Sequence, residues 1–159
     1  MQGIFDELIQ NLDIYSPVLT EHYQLIHGDP RVENILFSST GNPFTFIDYD
    51  TLMLGSTYID MGDCLRSLMS VEDIAIPVCR FQEFVSGYSL GNPMVKIQDA
   101  QVLSALKYVT LELTLRFFID SIEQNYFSWN PKLYRTAAEQ NEDRAWQYWN
   151  LFKKINQEL

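Results

Sequence analysis

Basic residues, cysteines and histidines are all scarce in this chain, and each scarcity removes a class of explanation. Eleven Lys and Arg stand against 21 Asp and Glu, for a formal net charge of −10 at pH 7. No basic stripe is available to offset phosphate charge, so neither nucleic acid nor an anionic membrane surface is an expected partner. Two cysteines, Cys64 and Cys79, form no disulfide framework, and both fall in apolar helical surroundings where a thiol serves as core filler. With only His22 and His27, and without a Cys-x-x-Cys pair, a zinc site is not expected. A G-x-S-x-G elbow for Ser-His-Asp hydrolysis is also missing. There is no apolar leader and no long apolar run, which points to a cytoplasmic protein outside the membrane. What is present is apolar material, 47% of 159 residues without repeats, enough for one core and one domain over residues 1–159.

The chemistry-bearing feature is His27-Gly28-Asp29-Pro30-Arg31-Val32-Glu33-Asn34, followed by a short apolar run and Ile47-Asp48-Tyr49-Asp50. Asp29 stands in a loop after the apolar stretch 23–26, where its carboxylate can accept the proton of an attacking hydroxyl. Asn34 offers a neutral amide oxygen and Asp48 a carboxylate, the donors a hard cation such as Mg²⁺ takes beside phosphate oxygens. Phosphoryl transfer needs this division of labour, because its chemistry is mostly positioning an alcohol and neutralising charge. Any one of these residues alone reads as a turn or a helix cap. Gly28 relaxes the backbone before the base, and His27 ties the loop down through its ring nitrogens.

Runs 33–37 and 44–47 are aromatic and aliphatic, and the turn formers Ser38-Ser39-Thr40-Gly41-Asn42-Pro43 separate them. The pattern predicts a hairpin with Asn34 entering and Asp48 leaving at the same end. A catalytic-loop and metal-ligand part thus occupies 23–50, and a helical part occupies 56–156. Helical spacing predicts helices over residues 2–12, 59–69, 73–88, from 95 to a stop at Ser128-Trp129-Asn130-Pro131, and over 132–155. Gly87 and Gly91-Asn92-Pro93 are expected to break the third. Asp60 and Asp63, three apart at a helix start, suit capping and support of the catalytic loop better than direct contact. The expected class is mainly α with a small β-hairpin, an α+β fold.

His27-Gly28-Asp29 with Asn34, then Ile47-Asp48-Tyr49-Asp50-Thr51-Leu52-Met53-Leu54-Gly55, then Tyr58 through Arg66, resembles the aminoglycoside phosphotransferase and choline kinase superfamily. Within it the N-acetylhexosamine 1-kinase-like branch is most similar, and the stretches 112–120 and 126–127 extend the likeness over most of the chain. The resemblance implies a protein-kinase-like C-lobe, Mg²⁺ and ATP as cofactors, Asp29 as base, and Asn34 and Asp48 as metal ligands. It also implies Asp50, Arg116 and Tyr126 as contacts to a small hydroxyl substrate such as a hexosamine, with Asp60 and Asp63 structural. Aminoglycosides, choline and homoserine are handled by the same superfamily, and the acidic composition leaves a cationic acceptor open.

Three departures accompany the likeness. Arg31 replaces the branch's usual Lys and Pro30 its usual Thr, which keeps the sign of a phosphate contact but changes its geometry. The Arg116 to Tyr126 interval is about one residue short of the branch's pattern. Ahead of His27 there is neither a glycine-bearing phosphate loop nor a strand Lys, so the expectation is a C-terminal lobe whose nucleotide-binding N-lobe is missing or supplied by a partner. Such a lobe can self-associate through the surface left bare. The alternative is an inactive remnant or binding module that cannot hold nucleotide.

Overall fold

The computed structural model describes residues 2–69, 78–93 and 95–159. It is mostly helical with two small antiparallel sheets, in keeping with an α+β class. The first helix, α1 (Gln2–Tyr15), leads through a short 3-10 turn (Ser16–Thr20) to β1 (Tyr23–Ile26). Next come β2 (Ile35–Phe37), β3 (Pro43–Phe46) and β4 (Met53–Ser56), followed by α2 (Thr57–Ser67), α3 (Val78–Gly91), α4 (Asp99–Glu123) and α5 (Ala137–Glu158).

The expected hairpin is present, with Ile35 opposite Phe46 and an irregularity after Leu36. Its loop closes on itself: Ser38 N donates to Asn42 O at 2.8 Å and Gly41 N to Ser38 O at 2.9 Å. A second ribbon was not expected. β1 pairs antiparallel with β4, Tyr23 opposite Ser56 and Ile26 opposite Met53, so the apolar stretch before the Asp29 loop is a strand. Asn34 itself lies in a 3-10 turn (Val32–Asn34), one residue ahead of β2.

Helix ends follow local chemistry. Ser56 caps α2 by accepting from Tyr58 N at 3.3 Å, and Thr136 caps α5 by accepting from Glu139 N at 3.1 Å. That cap starts α5 at Ala137 rather than at the expected Lys132. α4 stops at Glu123, short of the expected Ser128, because Gln124 turns left-handed (φ 53°) and the buried Asp120 takes the next three backbone N–H groups. The helix expected over 73–88 is described only from Val78, residues 73–77 lying outside the described part, and it runs through Gly87 to Gly91 without breaking.

The core lies where α4 packs between α2 and α5. One cluster joins Tyr58, Met61 and Leu65 of α2 to Val102, Leu106 and Leu151, and the other joins Leu8 of α1 to Leu111, Phe118 and Trp149. Gly62 permits the α2–α4 approach, since a Cβ there would lie 2.7 Å from the Ala105 carbonyl carbon. Among the described residues no helix is long and apolar enough to cross a membrane.

Candidate functional site

The loop after β1 is held by a carboxylate from α2. Asp60 Oδ2 accepts from His27 N at 2.7 Å and Oδ1 from Gly28 N at 2.9 Å. Burial pushes the Asp60 carboxyl up, and those two backbone N–H groups pull it partway back. Gly28 adopts φ +84°, and a Cβ there would run into the Thr51 carbonyl oxygen, so only glycine fits this crossing. Thr51 Oγ1 donates to His27 O at 2.8 Å from the other side. The buried His27 ring bridges the two segments: Nε2 lies 3.0 Å from Ile47 O, which requires its proton on Nε2, while Nδ1 faces Asp29 N at 3.4 Å. The loop and the exit of the hairpin are therefore one connected unit.

Asp29 projects from that unit and is fully engaged. Its Oδ1 accepts from Arg31 Nε at 2.7 Å, and its Oδ2 accepts from Arg31 Nη2 and Asn34 Nδ2, each at 3.1 Å. The Asp29 hydrogen bond holds the Arg31 guanidinium above its ordinary pKa. Arg31, expected as structural support that keeps the sign of any phosphate contact, forms a bidentate clamp on the candidate base. Asn34, buried, uses the same Nδ2 to reach Asp29 O at 2.9 Å. Its amide oxygen accepts no hydrogen bond from any described residue.

Ile47 N donates to Asn34 O at 2.9 Å, which sets Asp48 beside the Asn34 turn. Asp48 is left-handed (φ 66°, ψ 55°) and exposed, a conformation more often tolerated by Asp and Asn than by other side chains. Its carboxyl lies within hydrogen-bonding reach of Asp50, and that contact, then the like charges of Asp50 and Asp29, raise its pKa. By chemistry, the Asp48 and Asp50 carboxylates and the uncommitted Asn34 amide oxygen are the hard oxygen donors that a divalent cation such as Mg²⁺ takes. Among the described residues no group of three or more His, Cys, Asp or Glu could hold a metal, so any such site depends on the Asn34 amide.

On its other side Asp29 borders a cleft of about 640 Å³ between the loop, α2, α4 and α5. Gly28, Asp29, Arg31 and Thr51 form one wall, and Asp63, Arg66, Glu112 and Arg116 line it further in. Asp63 Oδ1 accepts from Arg66 Nη2 at 2.7 Å, and Arg66 Nη1 donates to the Tyr148 hydroxyl at 3.2 Å. Arg116 faces Glu112 at 3.7 Å, a long ion pair with both side chains about four-tenths exposed (41% and 42%). The Arg116 guanidinium also lies 4.9 Å above the Tyr126 ring and 5.4 Å above Phe127. Burial raises the Glu112 carboxyl, with Arg116 pulling the other way.

The fold thus brings Asp29, Arg31, Asn34 and Asp48 to the joined loop and hairpin end, and Arg116 and Tyr126 to the cleft. Asp50 sits against Asp48 and does not line the cleft. Asp63 faces the cleft with Arg66, whereas Asp60 points into the loop backbone. Sequence reasoning missed Thr51, Arg66, Glu112, Arg144 and the loop-holding Asp120. Thr51 stood inside a quoted motif and had a signal. Arg66, Glu112 and Asp120 likewise stood inside quoted stretches, Arg66 and Glu112 with an oppositely charged residue three or four positions away on the same helix, whereas Arg144, whose contact to Ser128 O spans 16 residues, had no signal.

Residues 2–88, more than half of the chain, match the sequence model of the Phosphotransferase enzyme family, a span that runs from α1 through both ribbons and α2 into α3. No curated protein matches the chain significantly. On the strength of that match, which contains the Asp29 loop and the Asn34 and Asp48 hairpin end, the chain belongs to the phosphotransferase enzyme family.

Proposed function

We propose that the chain is the kinase-like C-lobe of an ATP-dependent small-molecule phosphotransferase of the N-acetylhexosamine 1-kinase-like branch, acting on a sugar hydroxyl. The observation that carries this reading is the position of Asp29, which borders the cleft on one side and contacts Asn34 on the other. An alcohol in the cleft gives its proton to the Asp29 carboxylate as its oxygen bonds to the γ-phosphorus. The bond from that phosphorus to the bridging oxygen breaks and ADP leaves. Asn34 and Asp48, with Asp50 next to Asp48, would hold Mg²⁺, which when bound would neutralise charge on the phosphates. Asp60 and His27 hold the loop, and Arg116 and Tyr126 meet the acceptor.

The two ribbons support an adjoining nucleotide-binding lobe. Leu25 and Leu54, paired across β1 and β4, are each 64% exposed, and Phe44 of β3 is 78% exposed. Exposed apolar side chains on each ribbon suit coverage by another lobe or by a second copy of the chain. Asp29→Ala should cut Mg²⁺-dependent phosphoryl transfer from ATP to N-acetylhexosamines by about 10²–10⁴-fold. Equal rates in the variant and the parent would overturn the role of Asp29.

A second reading is favoured by one observation, the Arg31 clamp that occupies both Asp29 oxygens. A non-catalytic binding module keeps such a base permanently paired. It predicts ligand binding in the cleft and no transfer under any magnesium or ATP concentration.

A further inference from the structure

The chain as a whole carries −10, yet its cleft does not. Among the described residues four arginines line it, Arg31, Arg66, Arg116 and Arg144, and no lysine does. Three of them answer a carboxylate of the same cleft: Arg31 faces Asp29, Arg66 faces Asp63 and Arg116 faces Glu112. Arg144 of α5 is the cation left over, with no carboxylate within ion-pair distance among the described residues. A cleft with one surplus arginine in a strongly acidic protein does not suit a cationic acceptor.

Arg144 is also held in place. Its Nη1 donates to Ser128 O at 2.9 Å and to Asn141 Oδ1 at 3.3 Å, and its guanidinium lies 5.5 Å from the Phe117 ring centre. Asn141 is fully buried and is itself fixed by donating to Asp120 Oδ2 at 2.8 Å. Asp120 in turn accepts from the backbone N–H groups of Asn125, Tyr126 and Phe127 at 2.9 Å each, so one buried carboxylate sets both Arg144 and the Tyr126 loop. Only one nitrogen of Arg144 is used by these tethers, which leaves Nε and Nη2 as donors on a pre-oriented fork beside the cleft. Arg116, at a long 3.7 Å from Glu112 and stacked on Tyr126, adds a second cation from α4.

We infer that Arg144, with Arg116, receives an anionic substituent, a carboxylate or a phosphate, on the alcohol that occupies the cleft. This deepens the phosphotransferase reading by specifying its acceptor, and it rests on that reading only for the word acceptor. The recognition itself needs no nucleotide.

The test is equilibrium binding to the whole protein, without ATP, of glucuronate, glucose 6-phosphate, glucose and glucosamine. Glucuronate or glucose 6-phosphate should bind roughly tenfold or more tighter than glucose, with glucosamine weakest and the anion preference shrinking as NaCl rises. The two anionic sugars separate a carboxylate-reading site from a phosphate-reading one. Arg144→Gln should abolish the preference, and Arg116→Gln, at a half-buried position, should weaken it should the first variant fold poorly. Glucose or glucosamine binding as tightly as the anionic sugars, an unchanged preference in Arg116→Gln or a folded Arg144→Gln, or no binding by any of the four at millimolar concentration would overturn the inference. Asp29→Asn separates the two claims, because it should keep anion binding while losing transfer. Anion binding in a protein that never transfers phosphate would leave this inference standing and the catalytic reading refuted.

Discussion

Asp60 and Asp120 do comparable work at two ends of the cleft, each gathering backbone N–H groups that have no other partner. Asp60→Asn keeps one acceptor oxygen and replaces the other with a donor that faces an N–H, so it should destabilise the fold by about 1–3 kcal/mol in urea unfolding. Asp120 differs in its titration. Burial pushes its carboxyl up, but the bonds from Phe127, Asn125 and Tyr126 and the Asn141 amide outweigh burial and bring it below the ordinary 3.8. A depressed carboxylate contributes stability that is present above the unfolded value and lost as pH falls through the folded one. Asp120→Ala should therefore lower the melting temperature at neutral pH and flatten its dependence on pH below about 4. A variant that melts like the parent across that range would show that the loop does not depend on Asp120. Cys64 is the inert counterpart, its thiol pushed up to about 11 by burial first and by Asp63 and Asp60 next.

At the scale of elements, the α2–α4 crossing and α3 offer opposite glycine tests. Gly62→Ala must push a methyl into the Ala105 backbone at 2.7 Å, an overpacking that should cost about 1–3 kcal/mol, and more where neither helix can shift. Gly87→Ala, exposed in the middle of α3 with nothing near its Cβ, should stabilise by about 0.5–1 kcal/mol. Chemical denaturation of both variants checks the pair, and a neutral Gly62→Ala would contradict the packing described. The hairpin was legible because β2 and β3 are short apolar runs around a dense turn cluster. β4 was not legible, because Met53-Leu54-Gly55-Ser56 is too short and too weakly patterned to signal a strand without β1 beside it. The end of α4 was misjudged for a similar reason. Asp120 stops it through bonds to residues five to seven positions ahead, and the Pro131 further on only looked like the terminator.

For the whole molecule, the sequence carried the Asp29 loop and the hairpin end because those contacts span a few residues or one β ribbon. The cleft was illegible because, although each ion pair is local, their convergence depends on how the Asp29 loop, α2, α4 and α5 pack. The overall charge of −10 suggested tolerance of a cationic ligand, whereas the local balance at the cleft runs the other way, with four arginines against three carboxylates. Net charge describes solubility and long-range fields, and a site is decided by the groups that line it. The Arg31 clamp is likewise a folded-state fact, and it bears on activity. Arg31→Ala frees both Asp29 oxygens, so it should raise transfer if the clamp only restrains the base and lower it if Arg31 moves onto the phosphates. A rate unchanged within about twofold would assign the clamp no part in the reaction.

Paramagnetic NMR with Mn²⁺ standing in for Mg²⁺ tests, without requiring turnover, whether Asn34 and Asp48 together hold a divalent ion beside Asp29. Backbone amides of 28–34 and 47–50 should broaden together on addition of Mn²⁺, and Asp48→Asn should abolish the effect. Broadening confined to other acidic positions, such as Glu142 and Asp143 on α5, or broadening at the loop that survives Asp48→Asn, would contradict the account.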